Sequence, residues 1–130
     1  MPEETLLAFD YGAKKLGVAI GNSLLKRARP LDIILEQTRV GRFDRVEKLI
    51  QTWRPDRIVV GLALEPDGSE HYPAGHCRRF GRQIEGRFGI PVVMVDERGS
   101  SVEAQKITGN DHDDAQAAAI ILQRYFDALN

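Results

Sequence analysis

The sequence predicts an α/β fold: a five-stranded mixed sheet, three antiparallel strands followed by parallel ones, covered by helices. Three observations lead there. Short apolar runs broken by turn signals fill the first 35 residues. From Gly41 onward, segments with apolar residues at three- and four-residue spacing alternate with β-branched runs of strand length. Strands separated by helices are then joined as parallel neighbours through right-handed crossovers.

The first strand is Thr5 to Phe9, which ends at Asp10. Tyr11 to Gly17 forms a glycine-bounded turn into a second strand, Val18-Ala19-Ile20, which makes a hairpin. Pro30 interrupts the next segment, and Ile33-Ile34-Leu35 supplies a third short strand. Phe43, Val46, Leu49, Ile50 and Trp53 then line one helical face, and Pro55 ends that helix. Arg57 to Leu62 is the fourth strand. A loop from about Ala63 to Pro73 follows, with a turn at Asp67-Gly68. Cys77, Phe80, Ile84 and Phe88 mark a second helix, with Gly89 in the usual stop position. Pro91 to Val95 is the fifth strand and runs into Asp96-Glu97. A helix from about Ser100 to Ile107 and a longer one from about Asp113 to Leu129 complete the order β-β-β-α-β-α-β-α-α.

Composition narrows the class. At 130 residues the chain matches one domain, residues 1–130, with room for a real core. Its 42% apolar and 28% charged residues are globular values, and no apolar run reaches the roughly 18 residues of a membrane span. A soluble protein without membrane association is expected. No basic and apolar leader precedes Thr5, which points to the cytoplasm. Cys77 is the single cysteine, so an internal disulfide is impossible, and its place on an apolar helical stripe predicts a core residue. The net charge of −1 argues against coating nucleic acid by bulk electrostatics. Any nucleic-acid site must be a local patch. Lys14 with Lys15, Lys26 with Arg27 and Arg29, and Arg78 with Arg79 and Arg82 are the candidates, although each alone also reads as a solvated face.

The chemistry lies in the acids. Asp10 and Glu97 stand at the carboxyl ends of the first and fifth strands, the edge where open α/β sheets place ligands. The last helix begins with Asp111, Asp113 and Asp114. Counting in threes and fours from Asp114 gives Ala118, Ile121, Leu122, Tyr125 and Leu129, so Asp114 is the acid expected to point inward, whereas Asp113 suits the N-cap. Each acid has a plainer reading: a turn initiator for Asp10, a surface pair with Arg98 for Glu97, capping for the aspartates. Jointly, two strand ends and one inward helix position deliver carboxylates to one place. Clustered carboxylates repel, and the repulsion is relieved either by protonating one of them or by binding a divalent cation. Oxygen ligands without clustered histidine or cysteine favour Mg²⁺ or Mn²⁺. Such a site suits in-line attack of water on a phosphodiester, leaving 5'-phosphate and 3'-hydroxyl ends. Lys14, Lys15 and Arg98 are close enough in sequence to contact substrate phosphates. Tyr11 either stacks on a base or packs beside the sheet.

These residues carry a resemblance. Phe9-Asp10-Tyr11-Gly12 through Lys14-Lys15-Leu16-Gly17-Val18-Ala19, then Val59-Val60-Gly61-Leu62, Val95-Asp96-Glu97-Arg98, and Asp114-Ala115 through Ala118-Ala119-Ile120-Ile121-Leu122-Gln123 together resemble the YqgF family, also called RuvX, of bacterial ribonuclease H-like proteins. The resemblance implies a ribonuclease H-like fold with Asp10, Glu97 and Asp114 as catalytic and metal-binding positions. It implies a nuclease maturing the 5' end of pre-16S rRNA in ribosome biogenesis, with a Holliday junction resolvase in DNA recombination as the alternative. The partners implied are structured RNA or branched DNA and ribosomal particles, with the chain a monomer or homodimer. The chain departs from the family pattern at Ala63-Leu64-Glu65 and at Gly99-Ser100-Ser101. Two other classes fit parts of the pattern. Asp-x-Gly before a lysine and glycine turn also opens the phosphate-binding hairpin of actin-like ATPases and sugar kinases, which need two such domains. A non-catalytic module binding nucleic acid, the ribosome or RNA polymerase would use the sheet edge without cutting.

Overall fold

The computed structural model describes residues 3–12, 15–36, 38–62, 74–96 and 114–129. The expected helix Ser100–Ile107, the Asp67-Gly68 turn, the Asp113 cap and the site candidates Lys14, Glu97 and Arg98 lie outside them. Five strands form one sheet: β1 (Thr5–Tyr11), β2 (Leu16–Asn22), β3 (Arg27–Ile34), β4 (Arg57–Leu62) and β5 (Val92–Asp96). Their order is β3-β2-β1-β4-β5. β1 pairs antiparallel with β2 and β2 with β3, while β1 with β4 and β4 with β5 are parallel. This is the mixed sheet expected. Three helices are described: α1 (Arg39–Trp53), α2 (Ala74–Phe88) and α3 (Asp114–Ala128).

Strand alternation divides the core. Leu7, Phe9, Leu16, Val18, Ile20, Ile58 and Val60 face α1 and α2, where they meet Phe43, Val46, Cys77, Phe80 and Ile84. Leu6, Ala8, Ala19 and Val59 face α3, where they meet Ala118, Ala119, Ile121, Leu122 and Phe126. Burying a large side chain contributes about 1.5–3 kcal/mol, and both faces of β1 are buried, which places it at the centre of the fold. Cys77 is buried as expected.

The helix ends follow local rules. Thr38 caps α1 by accepting the Gly41 amide at 3.1 Å, and Arg54 closes it in the left-handed region, φ 47°, just before Pro55. Gly89, φ +67°, closes α2 as expected. Among the described residues no helix is long and apolar enough to cross a membrane.

Three expectations are corrected. β3 runs straight through Pro30 instead of starting after it: β3 is an edge strand, and the register slips between Val18 and Ala19, opposite the proline. A proline is tolerated at an edge bulge because no ladder hydrogen bond is lost. Leu35 falls beyond the strand and is exposed. On α3, Leu129 lies past the helix end and is exposed, and Phe126 takes the deep position.

α3 is also tied by hydrogen bonds to the backbone at the start of β3. The Gln123 amide accepts from the Ala28 N–H at 3.1 Å and donates to the Lys26 carbonyl at 3.0 Å. Gln123→Leu removes this partner from the half-buried Ala28 N–H and from the exposed Lys26 carbonyl, and one such hydrogen bond is worth about 0.5–1.5 kcal/mol net. Urea unfolding of this variant should show a stability lower by about 1 kcal/mol with an unchanged m-value; wild-type stability would show that the clamp contributes nothing.

Candidate active site

The site begins with the alternation of β1. Leu6 and Ala8 face α3, so Asp10 is on that face at the carboxyl end of the strand, while Tyr11 turns to the other. Asp10 is half-buried and pairs across the hairpin with Gly17.

Gly17 brings in the second acid. A methyl group at position 17 would lie 2.0 Å from the Asp114 carbonyl oxygen and 3.0 Å from its Cβ, distances no side chain can occupy. The first residue of α3 therefore rests on the bare backbone of β2, beside Asp10. The contact continues down the strand. At Gly21 a methyl group would meet the Phe126 ring at 2.7 Å and Leu122 at 2.9 Å. Between them Ala19 faces Ala118 and Ala119 in the same cluster. Small residues on both surfaces let the helix lie close to the sheet, and the close fit places Asp114.

Helical phase is sharper here than in the sequence reading. Ala118, Ile121 and Leu122 are buried and Tyr125 packs on the cluster, as counted from Asp114. The fully apolar stripe, however, runs through Ala115, Ala118, Ala119, Leu122 and Phe126. Asp114 stands at its margin, half-buried.

The other expected residues separate. Lys15 is exposed at the hairpin turn beside Gly12, where a methyl group would lie 2.7 Å from the Lys15 carbonyl oxygen. Tyr11 packs: its ring centroid is 5.0 Å from that of Phe80, and the Arg42 guanidinium lies 5.3 Å above it. Its ring is thus on the opposite face from Asp10. β5 is described as far as Asp96, which pairs with Leu62. Among the described residues no three metal-ligating side chains form a group, and Asp10 and Asp114 are the two of the three expected acids that are described. Sequence reading missed Gly17, Gly21 and Gln123 as positioning residues. Gly17 and Gly21 are spaced by four on one strand face, a pattern that signals close approach of another backbone.

The five-stranded mixed sheet with its helices is a ribonuclease H-like fold, as in RuvC. The structure matches Thermus thermophilus RuvC in complex with Holliday junction substrate with a TM-score of 0.60 at 21% identity, covering 97% of this chain and 95% of that one. It matches the fowlpox virus resolvase in complex with Holliday junction DNA with a TM-score of 0.59 at 13% identity, covering 96% and 98%. At such identities the likeness is one of fold. Sequence is more particular: residues 4–128 match the RuvX family, described as Holliday junction resolvase, and the chain belongs to that family. A relative from Bordetella petrii is 59% identical over 130 residues, with 99% of both chains covered, and one from Bordetella avium is 60% identical over the same length and shares. One from Paraburkholderia phytofirmans is 55% identical over 133 residues, covering 98% of this chain and 91% of its own. All three bear the provisional name pre-16S rRNA nuclease.

The glycine contact predicts opposite signs for one kind of substitution. Gly17→Ala forces backbone apart and should destabilise by about 3 kcal/mol, at or above the usual cost of overpacking. Gly86→Ala, at an exposed position of α2 with open space around it, should stabilise by about 0.5–1 kcal/mol. Urea unfolding of both checks this; a Gly17→Ala protein as stable as wild type would mean that α3 does not rest on β2.

Proposed function

We propose that this chain is a metal-dependent nuclease that hydrolyses phosphodiester bonds, with the 5' end of pre-16S rRNA as its substrate. One observation supports the reading: Asp114 packs on Gly17, the residue that pairs with Asp10 at the carboxyl end of the central strand. The names of the relatives supply the substrate. Glu97, which follows Asp96 directly in the sequence, is the third acid of the proposed set.

The donor chemistry fits Mg²⁺ or Mn²⁺. Asp10 and Asp114 offer hard carboxylate oxygens, and two like charges held together by the backbone cost energy that a divalent cation offsets. When bound, such an ion supplies charge stabilisation and a nucleophilic water at neutral pH. The protein's part is positioning. Asp10 is fixed by the ladder on β1 and Asp114 by the packing of α3, so neither must be ordered when substrate arrives. Lys15, with Lys14 and Arg98, supplies cations for the flanking phosphates. Attack opposite the 3'-oxygen leaves a 5'-phosphate and a 3'-hydroxyl. The proposed setting is the cytoplasm, on precursor ribosomal particles, with the whole chain acting as one domain.

The family description favours a second reading, cleavage of four-way DNA junctions. That reaction needs two symmetric cuts and therefore two copies of the site.

With 5'-extended 16S precursor as substrate, the wild-type chain should cut with Mg²⁺ or Mn²⁺ and stop on adding EDTA. Asp10→Asn should lower the rate roughly a thousandfold or more, the several kcal/mol at stake in such a site, at an unchanged melting temperature. Cleavage by Asp10→Asn at the wild-type rate would overturn the assignment. A four-way DNA junction cut in preference to the RNA precursor would select the second reading.

A further inference from the structure

Behind the end of β1, on the face away from Asp10, lies a cleft of about 170 Å³. Arg39 and Arg42 of α1, His76 and Arg79 of α2, and the rings of Tyr11 and Phe80 line it. Among the described residues no carboxylate lines it. In a chain of net charge −1, this is a concentrated positive site.

Its parts are prepared for an anion. Arg42 is buried, its Nε donates to the Glu36 carbonyl at 2.8 Å, and its guanidinium lies over Tyr11, so the group is held in place. Arg39 and Arg79 are exposed, and among the described residues neither is in an ion pair. Both helices present their N-terminal ends, and neither has an acid in its first turn. Helix N-termini favour anions, and guanidinium groups match phosphate oxygens in pairs. The volume is below the roughly 300–1,000 Å³ of pockets that enclose a drug-sized ligand, so it suits one phosphoryl group rather than a whole nucleotide. Tyr11 is already covered by Arg42 and Phe80, which argues against a stacked base.

We propose that this cleft is a phosphate subsite that holds one internucleotide phosphate of the bound nucleic-acid strand. The proposal rests on the nucleic-acid reading above. Asp10 and Tyr11 are consecutive and point to opposite faces, so a strand crossing the end of β1 meets the acids on one side and the cleft on the other.

The test reads binding on a chain disabled in cleavage, Asp10→Asn, by anisotropy of a fluorescent single-stranded RNA across a salt series. Adding Arg39→Ala with Arg79→Ala should weaken binding at least tenfold and lower the salt slope by about one, the share of one neutralised phosphate. Lys48→Ala, exposed on α1 outside the cleft, should change affinity less than twofold. Equal losses from Lys48→Ala would assign the effect to diffuse charge and overturn the subsite, as would an unchanged affinity in the double variant or no RNA binding by the Asp10→Asn chain. Inorganic phosphate provides the other arm. If it shifts amide resonances in the first turns of α1 and α2 while RNA affinity ignores Arg39 and Arg79, the cleft takes free anions and the strand assignment fails. Because cleavage is not the readout, loss of binding in the double variant supports the subsite even if the wild-type chain cuts nothing.

Discussion

The close approach of α3 to β2 is the constraint on which the rest of this molecule depends. A helix packed over large side chains stands off a sheet, and its first residue then falls wherever the intervening side chains allow. Here Gly17 and Gly21 remove those side chains from the strand, and Ala118 and Ala119 keep the helix side small. The contact is backbone on backbone at its upper end, so the Asp114 backbone is placed by direct packing and not through intervening side chains. Phe126 and Leu122 over Gly21, with Gln123 bonded to the backbone at Lys26 and Ala28, hold the lower part of the helix against rotation. Preorganising charged ligands in this way is costly to stability, and the buried apolar area of both faces supplies the offset.

The sheet topology collects helix beginnings at one edge. Tyr11 pairs with Leu16, and Leu16 with Ile34, so β1 and β3 end together. α1 starts after β3, and its Arg42 reaches Tyr11; Phe80, on the second turn of α2, packs on the same ring. α3 starts beside Gly17 on the other face. Three positive helix ends therefore surround the end of β1, an arrangement suited to a polyanion. This local field gives one edge a positive character in a chain whose net charge is −1.

Much of this could be read in the residues, and the failures have physical causes. Short apolar runs marked the five strands and three- and four-residue spacing marked the three described helices, because the central strands are buried on both faces and each helix on one. Asp10 and Asp114 were legible because each sits where a periodic pattern meets its end. Pro30 misled because a proline forbids a central strand, and only the sheet order reveals that β3 is an edge. Phe126 was missed because the stripe was counted from Asp114, whereas the helix is centred on the stripe from Ala115. The cleft was invisible because Arg39 and Arg79 lie on different helices and meet only through packing around Phe43 and Phe80, whose centroids are 5.7 Å apart.

The two consecutive residues Asp10 and Tyr11 show how a strand end can separate tasks. Alternation sends the carboxylate to the small-residue face, where a helix can come near enough to add a second acid. It sends the ring to the large-residue face, where Phe80 covers it and Arg42 is held against it. Acid and guanidinium are thereby kept on opposite sides of one backbone, so Arg42 is held against the ring rather than beside the Asp10 carboxylate. Keeping the sheet between them lets one edge carry the carboxylates of the proposed metal site on one face and the guanidinium groups of the proposed phosphate subsite on the other.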